Sequence, residues 1–161
     1  MSSLTIVATI TAIVGTALIG GIFFAFSNFV MKALERVPSS EGVLAMQTIN
    51  VTVLNRWFLG VFMGTAAVCL VLAIVSIATW TSAHSPYLLG GAVCYIGGTW
   101  LVTAFGNVPL NDELAAVDAG NADATEVWDH YLDRWTALNS RRTGAAILAA
   151  VLFGIGLSLA G

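Results

Sequence analysis

Two asparagines around a proline, and a row of aromatic residues on one helical face, are the parts of this chain best suited to chemistry. In Phe105-Gly106-Asn107-Val108-Pro109-Leu110-Asn111, Pro109 lacks an N–H and crowds the preceding turn, so Val108 is expected to leave the helical region and the backbone to unwind. The Asn107 and Asn111 amides then either cap the broken helix ends or donate hydrogen bonds into a cavity. Further on, Trp128, Tyr131, Trp135 and Arg142 are spaced i, i+3, i+7 and i+14, with Leu138 and Asn139 beside them, which places them on one helical stripe. That stripe is either an aromatic anchor at a membrane surface or one wall of a pocket for a flat aromatic ligand. His130 falls on the other side with Glu126, Asp129, Asp133 and Arg134. Its i−4 acid and i+4 base make an ion pair on a solvated face the plainer expectation there.

Three further asparagines are candidates for lining the same pocket. Asn28 shares a stripe with Gly20, Phe24 and Ser27, a pattern that suits close helix packing in lipid or an inward-facing amide. Asn50 and Asn55 lie five residues apart, about 140° around a helix, so both cannot face one narrow groove. Gly60 and Gly64 form a GxxxG, which suggests helix packing. No metal or haem site is expected. His84 and His130 are separated by a membrane crossing of about 30 Å, and Cys69 and Cys94 stand alone within apolar segments, without ligand spacing.

The elements that must position these residues follow from charge. All fifteen Asp, Glu, Lys and Arg fall in two windows, Lys32 to Arg56 and Asp112 to Arg142. The uncharged stretches before, between and after them hold one, two and one crossings of roughly 20 apolar residues each. Hydrophobic residues make up 58% and charged residues 9% of the chain, with a mean hydropathy of +0.88; a soluble surface cannot be assembled from that. The expected fold is all-α, an integral membrane four-helix bundle forming one domain over residues 1–161. Its crossings are expected near 4–34, 56–80, 86–108 and 143–160. Interfacial helices are expected near 41–55 and 125–140, the second between the third and fourth crossings, and the first running without a breaker into the second crossing. Four crossings put both charged windows on one side, and since they contain every Lys and Arg, that side is expected to be cytoplasmic and both termini external, in a bacterial inner membrane. With a pI near 5.1 and no basic stripe, nucleic acid is not an expected partner. The lipid bilayer is; self-association is left open.

Taken together, Phe23-Phe24-Ala25-Phe26-Ser27, Met46-Gln47-x-x-Asn50, Asn107-Val108-Pro109-Leu110-Asn111 and Trp128-x-x-Tyr131-x-x-x-Trp135-x-x-x-Asn139-x-Arg141 resemble the DUF1772 family of four-helix membrane proteins, labelled anthrone oxygenases. The resemblance runs from the first helix to the last. It implies oxidation of a flat aromatic or phenolic substrate by molecular oxygen, without metal, flavin or other cofactor, in a cytoplasmic-side pocket.

Such a reaction needs a base, donors for an anionic oxygen, and an apolar pocket that admits oxygen. On that mapping Asn107, Asn111 and Asn139 supply donors and Arg141 steadies the anion. The base is left open among His130, which projects from the polar side of its helix, Asp112 and Asp129. Asn28, Asn50, Asn55, Trp128, Tyr131 and Trp135 bind the substrate. The rival expectation is a non-enzymatic membrane protein that binds a lipid-soluble molecule or a partner protein through the same pocket.

Overall fold

A computed structural model describes residues 1–80, 82–121 and 123–159. Thr81, Ala122 and residues 160–161 lie outside them. Five helices account for nearly all of the described chain: α1 (Ser3–Leu34), α2 (Ser39–Thr52), α3 (Arg56–Ala78), α4 (Ser85–Ala115) and α5 (Ala124–Ser158). All but α2 are long and apolar enough to cross a bilayer. The chain is an all-helical integral membrane bundle.

The bundle runs up and down, each long helix touching its two neighbours. Antiparallel order is visible where a hypothetical glycine Cβ would meet the next helix. Gly15 of α1 abuts Thr65 of α3, while Phe23, further along α1, stacks edge-on against Phe62. Gly91 abuts Phe153 and Gly98 abuts Ala145 between α4 and α5. In lipid, close backbone approach and interhelical contact supply the association that burial from water supplies elsewhere. The outward surface is accordingly apolar, with Leu4, Val7, Trp57, Ile74, Ile77 and Phe105 among its exposed side chains.

Two buried clusters follow one another along the bundle. The first, around Ile19, Phe62, Leu72, Leu88, Tyr95 and Phe153, fills the half away from the charged windows. The second, around Met31, Val43, Met46, Leu114, Trp128, Tyr131 and Trp135, fills the charged end. Here α2 and the first half of α5 add a layer over the ends of α1 and α4. Gln47 Nε2 donates to the Leu114 and Val117 carbonyls at 2.9 Å each, tying α2 to the end of α4.

Several local expectations need correction. The backbone does not unwind at Pro109: Val108 is helical, with φ −62° and ψ −47°, and α4 continues to Ala115. A π turn at Thr103–Asn107 precedes the proline, and a widened turn accommodates a residue without an N–H while keeping the helix whole. The stretch near 125–140 is no separate interfacial helix but the first half of α5, which continues through Asn139–Thr143 and past Gly144 without a break. Nor does α2 run into α3. It stops at Thr52, and Asn55 caps α3, its Oδ1 accepting from the Trp57 and Phe58 amides at 3.0 and 3.1 Å. Finally, Gly60 and Gly64 face outward, and a Cβ on either would meet nothing within 4 Å, so the GxxxG is no packing seam inside this chain.

Candidate functional site

Where the two buried clusters meet, packing fails and a cavity of about 490 Å³ opens between α1, α2, α3, α4 and α5. That volume lies within the range of small-molecule sites. Its walls are mainly apolar, including Ile22, Phe26, Ile49, Phe58 and Trp135. A few polar side chains interrupt them: Thr103 and Arg142 at one level, Gln47, Asn50, Asn111 and Asp112 at another. Thr103 and Asp112 both belong to α4, so the two levels stand about 13 Å apart along the helix axis. A shallower depression of about 310 Å³, lined by Leu18, Trp57 and Val61 among others, shares Ile22 and Phe58 with the cavity.

Arg142 is the unusual wall. Only 4% of it is exposed, and its hydrogen-bond partners among the described residues are neutral. Nη2 donates to Asn139 Oδ1 at 2.7 Å and Nη1 to Thr103 Oγ1 at 3.1 Å, while Nε has no partner. The guanidinium lies over the rings of Phe23, at 4.1 Å from the centroid, and Trp135, at 5.2 Å. Arg suits this setting better than Lys because its planar, weakly hydrated cation can stack on aromatic faces.

Asn139 holds Arg142 in place. It is fully buried, and its Nδ2 donates to the Phe23 carbonyl and to Ser27 Oγ, both at 2.7 Å. The Phe23 carbonyl, which also receives the Phe26 N–H, lies in the turn leading into the π turn at Phe26–Val30. Asn107, 1% exposed, donates to the Trp135 carbonyl at 3.2 Å and its Oδ1 is unpartnered.

At the other level a short chain of neutral donors runs along the aromatic stripe. Asn50 Nδ2 donates to Tyr131 Oη at 3.3 Å, Tyr131 Oη donates to Asn111 Oδ1 at 2.8 Å, and Trp135 Nε1 donates to the same oxygen at 2.9 Å. The rings of Trp128, Tyr131 and Trp135 stack in sequence, with centroids 5.8 and 6.0 Å apart. Gly42 makes room for the first of them, because a Cβ there would stand 2.7 Å from the Trp128 ring.

Measured against the residues singled out from sequence, Asn50, Asn111 and Trp135 line the cavity, and Tyr131 is bonded to two of them. Asn107, Asn139 and Trp128 are buried one layer behind its wall. Asn28 is exposed, four residues on from the exposed Phe24, while Ser27, four residues on from the buried Phe23, accepts from Asn139. Asn55 caps α3 and borders only the shallower depression. His130 and Arg141 are exposed, as is Asp129, and none of the three reaches the cavity. Of the acids weighed as a base, Asp112 alone lines it. Thr103 was not foreseen, being a single polar residue in an apolar stretch, and Gln47 stands in the Met46-Gln47-x-x-Asn50 string but had no expected role of its own. Arg142 was visible as the last member of the aromatic stripe but was passed over for its neighbour. Among the described residues no three His, Cys, Asp or Glu side chains gather closely enough to share a metal ion.

The chain matches no curated protein and no solved structure. A family model described as Anthrone oxygenase does match, over residues 55–152, a stretch that contains the α3 and α4 walls of the cavity and, on α5, Trp135, Asn139 and Arg142. That match covers more than half of the sequence and includes the cation, its holder and the aromatic stripe; the chain belongs to the anthrone oxygenase family.

Proposed function

We propose that the cavity takes a flat, lipid-soluble aromatic substrate carrying an activated C–H, and that the protein catalyses its oxidation by molecular oxygen without a cofactor. The observation that carries this is the cavity itself: apolar on most sides, at the charged boundary of a membrane bundle, with a carboxylate at one level and a ring of neutral donors beside it. In an anthrone the methylene opposite the carbonyl is acidic. The presence of Asp112 in the cavity lining supports its acting as the base that accepts that proton. The delocalised anion passes one electron to oxygen, recombines with superoxide to a hydroperoxide, and loses water. The methylene and one O2 thus become a carbonyl and one H2O.

The bilayer supplies both reactants, since oxygen and anthrones partition into it, and the apolar lining of the depression that shares Ile22 and Phe58 with the cavity is compatible with entry from that side. The two charged windows carry every Lys and Arg, so this boundary is assigned to the cytoplasmic face and both termini to the other. The test is a hydroxyanthrone supplied to purified protein in air, with anthraquinone absorbance and oxygen uptake followed together. Wild type should exceed the uncatalysed rate, and Asp112→Asn should lower the excess by about 10²–10⁴ without changing the melting temperature. Quinone formation no faster than in protein-free detergent overturns the proposal.

A further inference from the structure

Among the described residues, no anion is bonded to the buried cation of Arg142. Buried charges are ordinarily paired, because transfer from water is costly for an isolated ion. Here Asn139 and Thr103 satisfy part of the guanidinium, Nε is left without a partner, and the group forms part of the wall of an apolar cavity. Two ionisable side chains belong to the same site. Tyr131 is occupied in its bonds to Asn50 and Asn111, and Asp112 stands at the other level, about 13 Å along α4 from Thr103. Neither is bonded to Arg142.

The geometry points to a missing counter-charge that arrives with the ligand: we propose that Arg142 selects flat aromatic molecules bearing a delocalised oxyanion, a phenolate or enolate, over their neutral ethers and over carboxylates. The stacking on Phe23 and Trp135 favours a weakly hydrated, planar partner that can share the same aromatic walls. A carboxylate concentrates its charge on two strongly hydrated oxygens and would pay more to enter a cavity whose walls are mainly apolar. The inference deepens the oxygenase proposal by naming the ionised form in which the substrate sits, and it rests on that proposal only for the identity of the site.

Binding to redox-inert probes separates the two. Purified protein is titrated with a hydroxyanthraquinone, its methyl ether and the corresponding anthraquinone carboxylate, at a pH where the free phenol is neutral. The expected result is that the phenol binds about tenfold or more tighter than the ether, shows the absorption band of its ionised form when bound, and outcompetes the carboxylate. Arg142→Gln should abolish that preference and the ionised band. Equal affinity of phenol and ether, a preference that survives Arg142→Gln, or tighter binding of the carboxylate each overturns the inference. The wild-type comparison needs no variant, so it decides the matter even if Arg142→Gln fails to fold. Anion-selective binding without quinone formation from a hydroxyanthrone would sink the oxygenase proposal alone; quinone formation with no anion preference would sink this one alone.

Discussion

The two halves of the bundle solve helix association differently. Away from the charged windows, helices approach through glycine: Gly15 against Thr65, Gly91 against Phe153, Gly156 against Leu88. Polar side chains there mostly bond within their own helix, as Thr16 does to the Ala12 carbonyl and Ser76 to that of Leu72. At the charged end the same job falls to long-range bonds: Asn139 to Phe23 and Ser27, Arg142 to Thr103, Asn107 to Trp135, Gln47 to Leu114. Small residues close space. Amides and stacked aromatics span it, and leave a cavity where the two regimes meet. In this chain the half that packs tightest is the scaffold, and the half held by directional bonds is the one that can hold a ligand.

The sharpest way to break that contrast is Asn139→Ala. It removes two donors and the acceptor of a buried guanidinium, so thermal stability in detergent should fall by about 3 kcal/mol or more, with probe binding lost alongside. A melting temperature unchanged from wild type would mean that the directional network contributes little. Gly91→Ala probes the other half. Its new Cβ would stand 2.8 Å from the Phe153 ring, and overpacking of this kind costs about 1–3 kcal/mol, while ligand affinity should stay within twofold of wild type, roughly the scatter of additive distant sites. Smallest is Gly60→Ala, where nothing lies within 4 Å; removing a mid-helix glycine should leave stability equal or raise it by up to about 1 kcal/mol. Destabilisation there instead would show that this outward face is packed against something in the membrane, a second copy of the chain included.

Which features could be read from sequence follows the same division. The four apolar segments and the two charged windows were plain, because lipid imposes length and neutrality directly on composition. The Trp128, Tyr131, Trp135, Arg142 stripe was also plain, since α5 is a regular α-helix and its periodicity holds for 35 residues. That stripe already pointed to Arg142, and the family spacing drew attention one residue away, to an exposed Arg141. On α1 the expected stripe is one residue off: Phe23 is buried and Phe24 exposed, so four residues on Ser27 turns inward and Asn28 outward. On α4 the π turn at Thr103–Asn107 precedes Pro109, which sits in a continuous helix. Glycine spacing misled in a similar way: the close approaches at Gly15, Gly91 and Gly98 have no GxxxG signature, and the pair that has one faces outward. Whether a small residue meets a neighbour depends on which side of the helix the bundle occupies, and that is settled by tertiary arrangement.

The claim that the gap between the two clusters is a working binding site is tested most directly by filling it. Ile49 is a partly buried wall residue on α2 that makes none of the described side-chain hydrogen bonds. In Ile49→Trp, titration with a hydroxyanthraquinone should show affinity reduced by at least about tenfold, equivalent to roughly 1.4 kcal/mol, with the melting temperature unchanged or raised. Undiminished affinity in a folded Ile49→Trp protein would place the ligand somewhere other than this cavity.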